Sequence, residues 1–350
     1  MKKPFFIIVT LGLVLAACGG KTAVSIPTAS PTITTPELQH LRLSMGYIAD
    51  IQFAPFYVAA DKGYFADAGL DIEFDYGFET DGMALVGANE LPFAIVSGEQ
   101  VILARAQDVP VVYVMEWFQR YPIAIVSKAA ANIRTPADFV GRSVGLPGFF
   151  GASYVGYVAL LHANGLSETA VNASDVGYNQ IEALLTGQSE AVVGYINNEP
   201  VQLTARGEAI NVIDVADYVD LVANGIITNE ETIASNPDLV QRFVRAVLRG
   251  LADTLADPVA AFEMSKKYVE GLEDGRITVL QASLPIWQAD QPGVTDPASW
   301  VQTQEVLLQM GLLDAPVANL EAAYTNQFVL GGSQSVSQLT PSPYCHFALQ

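Results

Sequence analysis

The sequence predicts an α/β protein of two alternating halves followed by a helical C-terminal third, on three observations. Short β-rich runs alternate with helical patterns over residues 41–127, the alternation restarts at 143 and runs to 214, and after Ile226 and Ile227 the periodicity becomes helical. Such alternation implies βαβ units around a mainly parallel sheet, since a parallel neighbour is reached through a crossover helix. In the first series the strands fall at 41–47, 71–76, 93–96, 111–117 and 123–127, with helices at 53–60, 81–87 and 99–106. In the second, strands at 143–146, 173–176, 191–195 and 210–214 enclose helices at 153–164, 180–186 and 199–206. The later helices are 237–255, 258–268, 275–288 and 296–310. Asn236-Pro237 and Asp257-Pro258 each set a capping side chain before a proline suited to a first helical turn.

The two ends carry a different signal. Lys2 and Lys3 precede an apolar run from Phe5 to Leu15, too short for a stable membrane span, which ends in Leu15-Ala16-Ala17-Cys18. This is the layout of an export signal over 1–17. Its ending resembles the lipobox of bacterial lipoproteins, which implies that Cys18 is lipidated and becomes the anchored N-terminus. The alternative is an ordinary signal peptide containing a cysteine, but a chain with only two cysteines has placed one at the expected cut. The expected location is the cell membrane, lipid-anchored, facing the extracytoplasmic side. Residues 18–40, rich in Ser, Thr, Pro and Ala, read as a flexible tether. Residues 331–350 read as a frayed tail.

Composition narrows the function. Removing the signal leaves about 330 residues, room for two domains with large cores. Apolar residues make up 51% and charged residues 15%, the balance of a globular chain. A net charge of −20 opposes binding to phosphate backbones, so nucleic acid is excluded as a partner. The three histidines, His40, His162 and His346, are scattered and form no metal or triad pattern, so neither cofactor nor enzymatic chemistry is expected.

In open parallel sheets ligands bind beyond the carboxyl ends of the strands. Here those junctions are aromatic. They supply Tyr47, Gln52 and Phe53 after the first strand, Glu99 after the third and Trp117 after the fourth. The second half supplies Phe149, Phe150 and Tyr154, then Tyr195, Asn197 and Asn198. Aromatic faces flanked by amides suit a flat, hydrogen-bonding heterocycle. Any one of these aromatics could equally fill core. Glu99, opening a helix, either complements the helix dipole or accepts a ligand N–H or hydroxyl. The run PGFFG at 147–151 would open a helix and aim backbone N–H groups at an anion or a polar ring edge.

The run FYVAADKGYFADAGLDI (56–72) closely resembles the opening of substrate-binding proteins from ATP-binding cassette (ABC) importers of the thiamine-pyrimidine, nitrate, taurine and alkanesulfonate group. SGEQVILARA (97–106) and TPADFVGRSVG (135–145) look like the same family. The resemblance implies a two-lobed periplasmic-binding-protein fold, each lobe a mainly parallel sheet flanked by helices, with interlobe crossovers near Ser127 and Ile227. Lobe one would comprise 41–127 and 228–330, and lobe two 128–227. It also implies a small-molecule ligand, a permease subunit in the membrane as partner, and a monomer.

Members that bind thiamine pyrimidine precursors follow their first strand with Asp-Trp and a later Asn and His. The corresponding GYIADIQFAPF (46–56) lacks that pattern and looks like the riboflavin-binding members, which implies riboflavin held between the lobes. A pyrimidine precursor is the alternative, and a sulfonate or nitrate is disfavoured by an aromatic, acidic pocket. A relative of the same fold makes the thiamine pyrimidine with iron and a motif rich in His and Cys. This chain has no cysteine between Cys18 and Cys345.

Overall fold

A computed structural model describes residues 37–331. The signal peptide, Cys18, most of the tether and the tail beyond Gly331 lie outside the described residues. The most apolar runs become strands covered on both faces, as continuous hydrophobic strands do in helix-flanked sheets. Lobe one begins β1 (Gln39–Ser44), α1 (Ala54–Asp61), α2 (Tyr64–Asp67), β2 (Leu70–Asp75), α3 (Glu79–Gly87), β3 (Phe93–Ser97), α4 (Gly98–Arg105) and β4 (Val111–Glu116). Lobe two follows as β5 (Ile123–Lys128), β6 (Ser143–Leu146), α5 (Gly151–Ala163), β7 (Asn172–Asp175), α6 (Gln180–Thr186), β8 (Ala191–Tyr195), α7 (Glu199–Ala205) and β9 (Ile210–Asp214). The chain then returns through β10 (Asn224–Asn229) to α8 (Glu230–Ser235), α9 (Pro237–Ala256), α10 (Pro258–Ser265), α11 (Ile277–Trp287) and α12 (Pro297–Gln309).

Two five-stranded sheets result, ordered β2-β1-β3-β10-β4 and β7-β6-β8-β5-β9. In the first, β10 runs antiparallel to β3 and β4 while β1, β2 and β3 are mutually parallel. In the second, β5 runs antiparallel to β8 and β9 while β6, β7 and β8 are parallel. Each sheet is therefore mainly parallel, and its one reversed strand is the first that the chain lays down after crossing from the other lobe.

That topology corrects the sequence boundaries. The strand at 123–127, assigned to lobe one, lies in the middle of the second sheet, and Ile226 and Ile227, assigned to lobe two, lie inside the first. The chain crosses between sheets at 117–122 and 215–223, earlier than Ser127 and Ile227. Strand β1 also starts earlier than expected. Gln39 pairs with Leu70 and His40 with Asp71, so these two residues belong to the sheet and not to the tether.

The C-terminal helices cover lobe one. Asn236 accepts from Leu239 N at 3.1 Å and Asp257 from Ala260 N at 3.0 Å, the two caps read in the sequence. From α9, Phe243 stacks on Phe93 of β3 with centroids 4.0 Å apart. Gly250, buried on the same helix, lets α9 approach α1 so closely that a Cβ there would collide with Pro55 O and stand 2.8 Å from Ala59 Cβ. Among the described residues no helix is long and apolar enough to cross a membrane.

Candidate functional site

A cleft of about 800 Å³, counted out to its open mouth, lies between the lobes at the carboxyl ends of the parallel strands. Each lobe contributes strand-end residues. Met45, Gly46 and Tyr47 follow β1, and Trp117 and Phe118 follow β4. Pro147 and Phe150 follow β6, Tyr178 follows β7, and Asn198 and Glu199 follow β8, which itself ends in Tyr195.

The aromatics form two groups. Deep in the cleft, Phe53 stacks on Trp117 with centroids 5.5 Å apart and planes 28° apart. Trp117 meets Phe118 edge-on at 4.6 Å, and Phe118 meets Tyr195 edge-on at 6.0 Å. Phe53, Trp117 and Phe118 are buried. Nearer the solvent, Tyr47 is edge-on to Tyr178 at 4.7 Å, and Phe78 is edge-on to Phe150 at 5.2 Å and tilted against Tyr178 at 5.8 Å. Phe78 and Phe150 are exposed. The space between offers π-faces and edges at low entropic cost.

Polar groups tie the lobes together around this space. From lobe two, Asn197 Nδ2 donates to Gln52 Oε1 at 2.9 Å and to Ser283 Oγ at 2.7 Å, both in lobe one. Tyr195 Oη donates to Asn224 Oδ1 at 3.1 Å. Arg276 Nη1 donates to Asn198 Oδ1 at 3.1 Å while its other arm pairs with Asp50. Glu79, opening α3 of lobe one, accepts from Ala152 N at the start of α5 in lobe two, at 2.9 Å. Glu199 is held within lobe two, its Oε2 accepting from Tyr195 N at 2.7 Å and its Oε1 from Asn198 Nδ2 at 3.1 Å.

Burial sets the charge state of the acids. Ser97 Oγ lies within reach of both Glu79 and Glu99 but owns one proton. Glu79 Oε2 accepts from Ser97 N at 3.0 Å, and Ser97 Oγ, 3.0 Å from that oxygen, also bonds Glu99, so with one hydroxyl proton between two carboxyls one of the two acids holds a proton. Burial pushes the Glu99 carboxyl up, and the neighbouring Glu79 charge pushes it further. Burial also pushes Glu199 up to about 7 and Glu116 up to about 8.

These shifts have a sign in stability. A carboxyl that ionises near 4.5 in the unfolded chain but near 7 or 8 in the fold keeps a proton that unfolding releases, so stability falls as pH rises through that window. We expect the melting temperature to drop on the order of 5 °C between pH 5 and pH 8. A thermal melt that is flat or rises over that range would contradict the assignment of these buried acids.

Of the eleven residues singled out from the sequence, Tyr47, Gln52, Phe53, Trp117, Phe150, Tyr195 and Asn198 line the cleft. Four lie outside its lining. Glu99 is fully buried behind Ser97. Asn197 is turned to the lobe–lobe contact and spends its amide on Gln52 and Ser283. Phe149 is half exposed and packs edge-on against Tyr154 at 5.8 Å. The Tyr154 hydroxyl donates to Glu168 at 2.9 Å on the surface.

Sequence reading missed Glu79, Phe118, Tyr178, Gln180 and Asn224 as lining residues. Glu79 and Tyr178 follow β2 and β7, so the same strand-end rule applied at those two junctions would have found them. Asn224 opens a reversed strand, where that rule points to the wrong end.

Two lobes joined by two crossings, with an aromatic cleft closed by cross-lobe hydrogen bonds, define a two-lobed ligand-binding architecture. The chain belongs to the NMT1/THI5-like family, whose profile matches residues 50–261. It is 42% identical over 346 residues to the riboflavin-binding protein RibY of Chloroflexus aurantiacus, covering 93% of this chain and 98% of that one. It is 29% identical to the formylaminopyrimidine-binding protein of Halalkalibacterium halodurans, covering 72% and 82%. Among solved structures, the alkanesulfonate-binding protein SsuA of Xanthomonas axonopodis pv. citri, bound to MOPS, matches with a TM-score of 0.67 at 14% identity, covering 83% of this chain and 99% of that one. At that identity the likeness establishes the periplasmic-binding-protein fold.

Proposed function

We propose that this protein is the extracytoplasmic binding component of an ABC importer. It captures riboflavin between its lobes and presents it, as a monomer tethered through a lipid on Cys18, to a membrane permease. No bond is made or broken. The observation that carries the reading is the full-length kinship with a riboflavin-binding protein, and the aromatic cleft supports it, since a tricyclic ring needs stacking surface on the scale offered by Phe53, Trp117 and Tyr195. Closure requires that the ligand bind the closed state more tightly than the open one. The contacts between Gln52, Asn197, Tyr195 and Asn224 are placed to make that difference.

The test is titration of protein lacking residues 1–18 with riboflavin, followed by flavin fluorescence, with a thiamine pyrimidine precursor as competitor. Saturable quenching that the pyrimidine does not reverse is the expected result. Absent quenching, with the pyrimidine raising the melting temperature, would move the protein to the pyrimidine branch. Trp117→Ala and Tyr195→Ala are each expected to weaken binding by about 1–3 kcal/mol, the scale of base stacking on aromatics. Unchanged affinity in both would place the ligand elsewhere.

A further inference from the structure

We propose that Glu79 makes the cleft selective for uncharged ligands, by filling the anion-accepting N-terminal end of α5 with the protein's own carboxylate. This deepens the riboflavin reading and rests on it. The N-terminus of a helix presents unpaired N–H groups and a positive dipole end, which attract an anion. Helix α5 begins behind Phe150, which supplies no side-chain cap, and its first turn faces the cleft through Gly151, Ala152 and Ser153. A bound anionic group would be drawn there. Glu79 reaches across from lobe one and takes the Ala152 N–H at 2.9 Å, while Ser97 N and Oγ fix its other oxygen at 3.0 Å each.

The local sequence accommodates this carboxylate. Gly151 has φ +67°, and a Cβ at that position would collide with Glu79 Oε1. Burial raises both Glu79 and Glu99, but Glu79 is held back by bonds from Ala152 N, Ser97 N and Ser97 Oγ, while Glu99 is pushed up to about 8 by burial and then by the Glu79 charge, so Glu79 is the acid of the pair that carries the charge. A second carboxyl, Glu199, lines the same cleft, and among the described lining residues there is no Lys, Arg or His. Arg276, at the edge, is engaged by Asp50 and Asn198. The alkanesulfonate-binding protein shares this fold, so the fold does not fix ligand charge and the side chains must. A phosphate or sulfonate entering here would meet the Glu79 carboxylate in a low-dielectric space, with Glu199 partly ionised beside it and no cation among the described lining residues to offset it.

Three flavins separate charge from size: riboflavin, riboflavin 5′-phosphate, and a riboflavin 5′-ester of similar bulk without charge. Wild-type protein is expected to bind the phosphate at least about tenfold more weakly than the neutral ester, a gap of about 1.4 kcal/mol. In Glu79→Gln that gap is expected to shrink to about threefold or less, because the amide keeps an acceptor for Ala152 N and loses the charge. Equal affinities for phosphate and neutral ester in wild-type protein would overturn the proposal, and so would an unchanged gap in Glu79→Gln. Should Glu79→Gln not fold, Glu199→Gln decides by subtraction, since these two are the carboxyls among the described lining residues. A gap that persists there assigns it to Glu79, and a gap that vanishes overturns the proposal. Failure of wild-type protein to bind riboflavin itself would overturn the ligand reading as well, and is distinct from tight binding of all three flavins.

Discussion

Gly151→Val is expected to weaken ligand capture by about a hundredfold while both sheets stay folded. The residue sits at φ +67°, where a β-branched side chain is strained, and any Cβ there would collide with Glu79 Oε1. The Glu79 to Ala152 N bond spans the two lobes, so its loss falls on the closed state. Strain of about 1–2 kcal/mol, with about 1–3 kcal/mol for a buried charged acceptor left without its partner, accounts for the hundredfold. Flavin titration beside a circular dichroism spectrum separates capture from folding. Affinity within about threefold of wild type, with the fold intact, would show that this contact does not govern closure.

Gly250→Val is the largest stability change we expect, a loss of about 3 kcal/mol and roughly 5–10 °C in melting temperature. The added side chain would meet Pro55 O and the Ala59 backbone nitrogen, 3.0 Å away. Both obstacles are backbone of α1, and no side-chain rotation relieves them. Helix α9 would have to move off α1, carrying Phe243 away from its stack on Phe93. A melting temperature within about 2 °C of wild type would mean the helices separate at little cost.

How much of this was legible in the sequence differs between elements. The strands and helices of both series were readable because each apolar run is bounded by turn residues and each helix by a periodic face or a cap, as at Asn236 and Asp257. Sheet membership was not. Strands β4, β5 and β10 are almost wholly buried along their length, and a strand apolar on both faces carries no mark of which neighbours it will pair with.

At the site, the strand-end rule found the deep aromatics Phe53, Trp117 and Tyr195. It took Glu99 and passed over Glu79, although each stands at the start of a helix following a strand. The choice depends on tertiary placement, which puts Glu79 on the cleft and Glu99 behind Ser97. Asn197 and Asn198 show the same limit at single-residue scale. Adjacent amides point into different surroundings, one to the partner lobe and the other to the cleft.

The position of β10 bears on how the chain acquires this structure during synthesis. Strand β10 lies between β3 and β4, so these two strands have no direct ladder, and from residue 116 until residue 229 is made each presents an unpaired edge. Lobe two has a shorter wait of the same kind, for β8 lies between β6 and β5 and is complete by residue 195, with β9 following at 210–214. The later-begun half of the molecule can therefore finish before the earlier one. Pairings of long sequence separation form slowly, and open strand edges are templates for association between chains. The nascent first lobe is the segment that a holding chaperone would have to cover, and the rate at which residues beyond 223 arrive sets how long it must do so.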